Sequence, residues 1–246
     1  MKYSINALHK TATVFLNSFF RDVSRAKKYK YYSRDVSERN ARLFKNQTDC
    51  FLCPVRGFPA KLTPDIFYIF VIRNPLDILV SEYFSFGWTH TIKGNDDERY
   101  TMTTLRDEIQ QLSIDAYCLK YADTLYKKLI PLLGLNLNKE SDNYYVVTYE
   151  ELVTDFEKWS TKMFELVDVP EDKQNLIYSK YVQEFENIQE TTPEQIMSGE
   201  SIPHKRKVLP GDHLVKLKSL TVATLNNKFK DFIEFHGLYG SKRYRW

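Results

Sequence analysis

The amino-acid sequence predicts an α/β fold, a central parallel sheet with helices on both faces. Three observations point there. Short β-branched and aromatic runs alternate with segments of helical period along the chain. One run, residues 65–72 (DIFYIFVI), is apolar almost throughout, as in an interior strand covered on both faces. The chain has 246 residues, 43% of them hydrophobic and 15% aromatic, enough for a full core and too apolar for wholesale disorder. No internal repeat and no linker rich in Gly, Ser or Pro interrupts it, so residues 1–246 are expected to form a single domain.

The elements follow in order. Residues 3–8 alternate apolar and polar side chains and read as a short strand. Residues 9–13 make a polar turn, and 14–25 place Val14, Phe15, Phe19 and Val23 at helical spacing. Residues 49–55 are a second strand candidate. After 65–72 comes Arg73-Asn74-Pro75, with proline suited to a first helical turn, so a helix is expected over 75–83. The polar stretch 87–103 reads as a long mobile loop. A long helix, with room for a break, is expected over 104–133. Residues 144–148 (YYVVT) read as a strand, 149–167 as an amphipathic helix and 171–185 as another. Residues 186–210 read mostly as loop, and a terminal helix is expected over 221–236, closed by Gly237.

Several classes are excluded. No window reaches the roughly 18 uncharged apolar residues of a membrane span. The apolar run 12–20 lacks a small-residue cleavage site and is a poor signal peptide. Three cysteines include one C-x-x-C, Cys50-Phe51-Leu52-Cys53. It reads as a redox pair, as half a zinc site, or as two residues of a buried strand. No second such pair follows, which favours the strand and a reducing, cytoplasmic compartment. Net charge is +3, but residues 21–45 hold nine Lys/Arg against three Asp/Glu, and 203–246 hold ten against three. Two basic stretches can converge on one polyanion or merely be solvated. No RNP, zinc-finger or helix-turn-helix pattern is present, so no nucleic acid partner is expected.

Two segments carry chemistry. Leu8-His9-Lys10-Thr11-Ala12-Thr13-Val14-Phe15 lies just past the carboxyl end of a strand, where α/β folds bind ligands. Small residues let the backbone approach an anion, and the opening N–H groups and dipole of a helix favour negative charge. Lys10 adds a point charge, and Thr11 and Thr13 add hydroxyls. The order differs from the nucleotide loop G-x-x-x-x-G-K-[ST], because here the lysine precedes the small residues. An ordinary strand–turn–helix is the alternative. In the second segment, Val71 to Tyr83, Arg73 closes a buried strand. Ser81 follows eight residues later, about two helical turns on. A guanidinium fork and a hydroxyl suit a second phosphate. The alternative is an Arg73–Asp77 ion pair and an unremarkable serine.

These segments resemble the paired signatures of sulfotransferases that use 3'-phosphoadenosine 5'-phosphosulfate (PAPS). The first is similar to the family's P-loop-like 5'-phosphosulfate loop. The second is similar to its 3'-phosphate motif, Arg-Asn-Pro with a serine eight positions after the arginine. Val147-Thr148-Tyr149-Glu150-Glu151-Leu152 resembles the strand-ending tyrosine segment that meets the adenine. His204 to His213 (HKRKVLPGDH) resembles the late basic loop. The four run in family order from Lys10 to Asp212, nearly the whole chain.

The resemblance implies the following roles. Lys10, Thr11, Ala12, Thr13, Val14 and Phe15 would wrap the 5'-phosphosulfate, with Phe15 beside the adenine. Arg73, Ser81, Arg206, Lys207 and the Val208 backbone would hold the 3'-phosphate. Tyr149 would hydrogen-bond the adenine, and Phe185 would be a second aromatic against it or a core anchor. The activity implied is in-line sulfonyl transfer to a small-molecule hydroxyl or amine, leaving 3',5'-ADP (PAP), with Lys10 neutralising the leaving phosphate and no metal. Ala12 stands where the family usually has Gly, Val14 where it often has Thr, Val208 for a Gly and His213 for a Trp. No histidine ends the strand 49–55, where many relatives carry their general base. His90, Asp35 and Glu38 are the candidates. His9, beside the loop, is expected to be structural.

Phe84, Phe86, Trp88 and Tyr100 surround the 87–103 segment and either line an acceptor pocket or pack the segment down. Arg56 and Arg99 are candidates for an anionic acceptor or plain surface. The first motif begins close to residue 5, which favours a cytoplasmic small-molecule enzyme without a membrane partner; a homodimer stays open. A Mg-ATP-dependent metabolite kinase and a non-catalytic polyanion-binding module are the rival readings.

Overall fold

The computed structural model describes residues 1–33, 43–92, 94–135, 137, 143–186 and 209–239. In chain order the elements are β1 (Lys2–Ala7), α1 (Thr13–Ala26), β2 (Lys30–Tyr32), β3 (Cys50–Val55), β4 (Ile66–Ile72) and α2 (Pro75–Phe84). A π-helical turn (Ser85–Thr89) leads to α3 (Asp96–Gln110), α4 (Ile114–Leu133), β5 (Tyr144–Thr148), α5 (Tyr149–Thr154) and α6 (Phe156–Leu166). Then come α7 (Glu171–Glu186), α8 (Asp212–Lys216), α9 (Ser219–Lys228) and α10 (Lys230–Tyr239). Two compact units emerge, one of Met1–Arg73, Lys127–Asn187 and Glu234–Trp246, the other of Asn74–Tyr126 and Ile188–Ile233.

The first unit holds the sheet. Its five strands run in the order β2-β3-β1-β4-β5, and every neighbouring pair is parallel. Helices surround it, as expected of an α/β fold. Strand β4 matches its sequence pattern, being buried from Tyr68 to Ile72. In β1 the polar residues of the alternating pattern do not face water. Ser4 and Asn6 are both buried. The Ser4 hydroxyl donates to Asn6 Oδ1 (2.8 Å), and Asn6 Nδ2 donates to Gly57 O (2.8 Å). Their hydrogen-bonding capacity is met locally, which lets a polar strand sit inside the sheet.

Strand β2 was hidden in a basic stretch. It is three residues long, and the Tyr31 hydroxyl fastens it with contacts to Asn17 O (2.9 Å), Asn17 Oδ1 (2.7 Å) and Cys53 O (2.9 Å). The three cysteines are buried and unbridged. Cys50 packs with Phe44 and Leu52, whereas Cys53 Sγ donates to Leu16 O. Burial pushes the Cys50 thiol up, and the Cys118 thiol well above the ordinary range. These are core residues, not a redox or zinc pair.

Several helices depart from expectation. The stretch read as a loop over 87–103 instead begins in the π-helical turn and enters α3 at Asp96. Asn95 and Glu98 form a reciprocal capping box at its start, and Asp96, Asp97 and Glu98 favour the positive end of the helix dipole. The helix expected over 104–133 is two, α3 and α4. The helix expected over 149–167 is also two, because Asp155 caps a fresh start at Phe156 by accepting the Lys158 N–H (3.2 Å). The terminal helix breaks near Phe229, and Gly237 does not close it, since α10 runs on to Tyr239. Among the described residues no helix is long and apolar enough to cross a membrane.

Candidate active site

Strand β1 ends at Ala7 and the chain turns, with the Thr11 N–H donating to Leu8 O (3.2 Å). Lys10 has φ 66° and Ala12 φ 53°, both left-handed. Turns of this kind aim successive N–H groups into one concavity, a nest for an anion. Helix α1 then begins at Thr13 with no side chain capping it and no acid in its first turn. Its opening N–H groups and positive dipole end are left for an outside anion. Thr11 and Thr13 are buried, and Thr11 Oγ1 has no hydrogen-bond partner among the described residues.

Arg73 closes β4 and is 4% exposed. Its Nη1 donates to Lys10 O (2.7 Å), and its guanidinium carbon lies 4.1 Å from the centroid of the Tyr149 ring. Its Nε is buried with no partner among the described residues, and no described carboxylate pairs with it. Asp77, the alternative ion-pair partner, is engaged elsewhere in the second unit. It accepts the Gly211 N–H (2.8 Å), the His213 N–H (3.0 Å) and His213 Nδ1 (2.7 Å). A carboxylate only accepts, so Nδ1 carries the proton. His213 thus does a structural task at the start of α8 that the sequence did not reveal.

Beside the loop, Phe15 belongs to an aromatic cluster. Its ring meets Phe185 at 5.1 Å and Phe156 at 5.9 Å, and Phe185 stacks on Phe156 at 4.8 Å. Phe156 in turn stacks on Tyr178 at 5.7 Å. Phe156 and Tyr178 were missed by sequence reasoning because each sits at an ordinary core spacing of its helix.

The structure therefore brings Lys10, Thr11, Ala12, Thr13, Arg73 and Tyr149 to one end of the sheet, with Phe15 and Phe185 alongside. Val14 is 82% exposed, so its side chain faces water and only its backbone is on offer. Ser81 lies on α2 and is half-buried. His90 ends the π-helical turn, its N–H bound to Ser85 O (2.7 Å), its carbonyl to the Arg106 guanidinium, and its ring against Phe86 (5.5 Å). Phe84 and Trp88 pack together with Tyr83 (5.0 Å from Trp88), whereas Tyr100 is 76% exposed. That arrangement favours packing of the segment over an open aromatic pocket. Arg56 and Arg99 are exposed. Asp35, Glu38, Arg206, Lys207 and Val208 lie outside the described residues. Among those described, no group of three or more His, Cys, Asp or Glu is placed to hold a metal ion.

A nest, an uncapped helix start, a buried arginine with a spare donor and a spare buried hydroxyl sit at one end of an α/β sheet, an arrangement suited to an anion, and the aromatic rings beside them suit a base. Buried polar groups are ordinarily satisfied, so the spare Arg73 Nε and Thr11 Oγ1 fit a phosphorylated ligand. The family profile described as the sulfotransferase domain matches residues 6–242, and the chain belongs to that family. Among solved structures it resembles a mouse sulfotransferase, SULT7A1, complexed with PAP: TM-score 0.58, 13% identity, covering 98% of this chain and 85% of that one. It also resembles a retinol dehydratase in complex with androsterone and PAP: TM-score 0.49, 11% identity, covering 100% and 82%. Among curated protein sequences, none matches.

Proposed function

We propose that residues 1–246 act as a single catalytic domain that transfers a sulfonyl group from PAPS to a hydroxyl or amine of a small-molecule acceptor. Membership of the sulfotransferase family supports the reaction, and the PAP-bound mouse neighbour supports the nucleotide. The observation that carries the reading is the pairing of an uncapped α1 with a buried Arg73 whose Nε has no partner among the described residues. PAPS supplies an activated sulfonyl group, whose S–O bond to phosphate breaks as the bond to the acceptor oxygen or nitrogen forms. Lys10 meets the negative charge that builds on the departing phosphate oxygen. The N–H groups of residues 12–15 and the Thr11 hydroxyl hold that phosphate, and Arg73, Ser81, Arg206, Lys207 and Val208 hold the 3'-phosphate. Tyr149, Phe15 and Phe185 hold the adenine. The acceptor loses a proton to a base, for which His90, Asp35 and Glu38 are the candidates. Positioning and prearranged charge supply most of the rate, without a metal and in a cytoplasmic setting.

A screen of phenols, alcohols, amines and simple sugars with PAPS labelled in the sulfonyl group tests this reading. Label is expected in at least one acceptor class, with 3',5'-ADP released in equal amount. Mg-dependent ATP consumption in its place would establish the kinase reading. Salt-sensitive polyanion binding without turnover would establish the binding module.

A further inference from the structure

Arg73 poses a physical problem that the proposed function does not by itself resolve. A guanidinium 4% exposed is costly unless its charge is met, and no described carboxylate meets it. What lies against it is a ring face. The Arg73 guanidinium carbon is 4.1 Å from the Tyr149 centroid, and Tyr149 is itself 6% exposed. A π face attracts a cation most where water is excluded. It also differs from a carboxylate in one respect that matters for binding. Guanidinium donors lie in the guanidinium plane, so a ring stacked on that plane orients the group without occupying its N–H fork. A carboxylate would neutralise Arg73 and compete with an incoming anion. The one donor shown in use, Nη1, is on Lys10 O (2.7 Å), and Nε stays unpartnered.

Tyr149 is in turn fixed by its neighbour. Glu150, 1% exposed, meets His236 Nε2 at 2.9 Å, and the Thr154 hydroxyl donates to Glu150 O (2.7 Å). The first turn of α5 is thereby pinned to α10, and the ring face is held where Arg73 needs it.

We infer that Tyr149 is a positioning residue for Arg73, its ring face setting the guanidinium so that its free donors select the 3'-phosphate. This rests on the PAPS reading and assigns Tyr149 a task separate from contact with the adenine. The readout is the ratio of dissociation constants for 5'-AMP and 3',5'-ADP, measured by calorimetry. The variants are Tyr149→Phe, which keeps the face, and Tyr149→Leu, which removes it. Y149F is expected to keep the ratio, even if both constants rise together through loss of a hydroxyl contact. Y149L is expected to lower the ratio about ten-fold, mostly by weakening 3',5'-ADP. Tyr149→Met replaces Y149L if the latter does not fold. A ratio that survives loss of the ring, or that falls as far in Y149F, overturns the inference. If the unaltered protein shows no preference for 3',5'-ADP at all, the PAPS reading itself is wrong, a separate outcome.

Discussion

Arg73 and Lys10 meet through a backbone carbonyl, yet the proposed function gives them different work, and single substitutions separate the two roles. Arg73→Ala should weaken 3',5'-ADP by about 2–3 kcal/mol, the scale of a charged hydrogen-bond pair, and leave 5'-AMP nearly unchanged in the same calorimetric titration. Equal losses would make Arg73 a structural residue. Under the proposed function, Lys10→Ala should cut turnover far more than nucleotide affinity, because the ammonium would meet charge that develops only as the bond breaks. Parallel losses in kcat and in affinity would contradict that role. Single residues were legible to different degrees. Lys10, Thr11 and Arg73 could be named from sequence because strand ends and small residues mark them. The Arg73–Tyr149 contact could not, because it joins residues 76 positions apart and no periodicity records it.

At the scale of elements, the site rests on a helix that begins uncapped. Helix α1 has no side-chain cap and no acid in its first turn, whereas α2, α3, α5 and α6 each begin with a cap and α8 and α9 do not. An exposed helix start is a cost that an anionic ligand offsets. In the second unit, Asp77 collects three donors from Gly211 and His213 while fully buried. Asp77→Ala would strand those donors and should cost about 3 kcal/mol or more in urea unfolding. A loss under about 1 kcal/mol would mean that the cluster relaxes or hydrates freely. The misread 87–103 stretch belongs to this scale too. Its Gly94-Asn95 and run of acids look like loop composition, but they form the capping box and first turn of α3. Polar residues at a helix start and polar residues in a loop are the same letters, and only the carboxylate spacing of the box tells them apart.

Over the whole molecule, the parallel sheet was the most legible feature, because interior strands such as β4 must be apolar on both faces to be covered by helices. Strand order was not legible, since it depends on which strands neighbour one another in space; β2 escaped because three residues carry too little pattern. Stability against acid follows from the ion pairs that tie distant segments. Burial works against ionised Asp22, but hydrogen bonds from Lys180 and Tyr181 (2.8 Å for the latter) outweigh it and hold the carboxyl below the usual range. A depressed carboxyl stabilises the fold above its unfolded value, about 3.9, and that contribution disappears as pH falls through the folded value. Asp22→Asn should therefore cost on the order of 1 kcal/mol at pH 7. The gap to the unaltered protein should close as pH falls below about 4 and through the lowered folded value. A gap independent of pH would show that the carboxylate charge is not what matters.

The most direct measurement is calorimetric titration of the unaltered protein with 3',5'-ADP and with ADP, each with and without Mg. The uncapped α1, the buried Thr11 hydroxyl and the ring-held Arg73 predict tight binding that requires the 3'-phosphate and is indifferent to Mg. Binding of ADP as tight as that of 3',5'-ADP, or binding that appears only with Mg, would contradict the account.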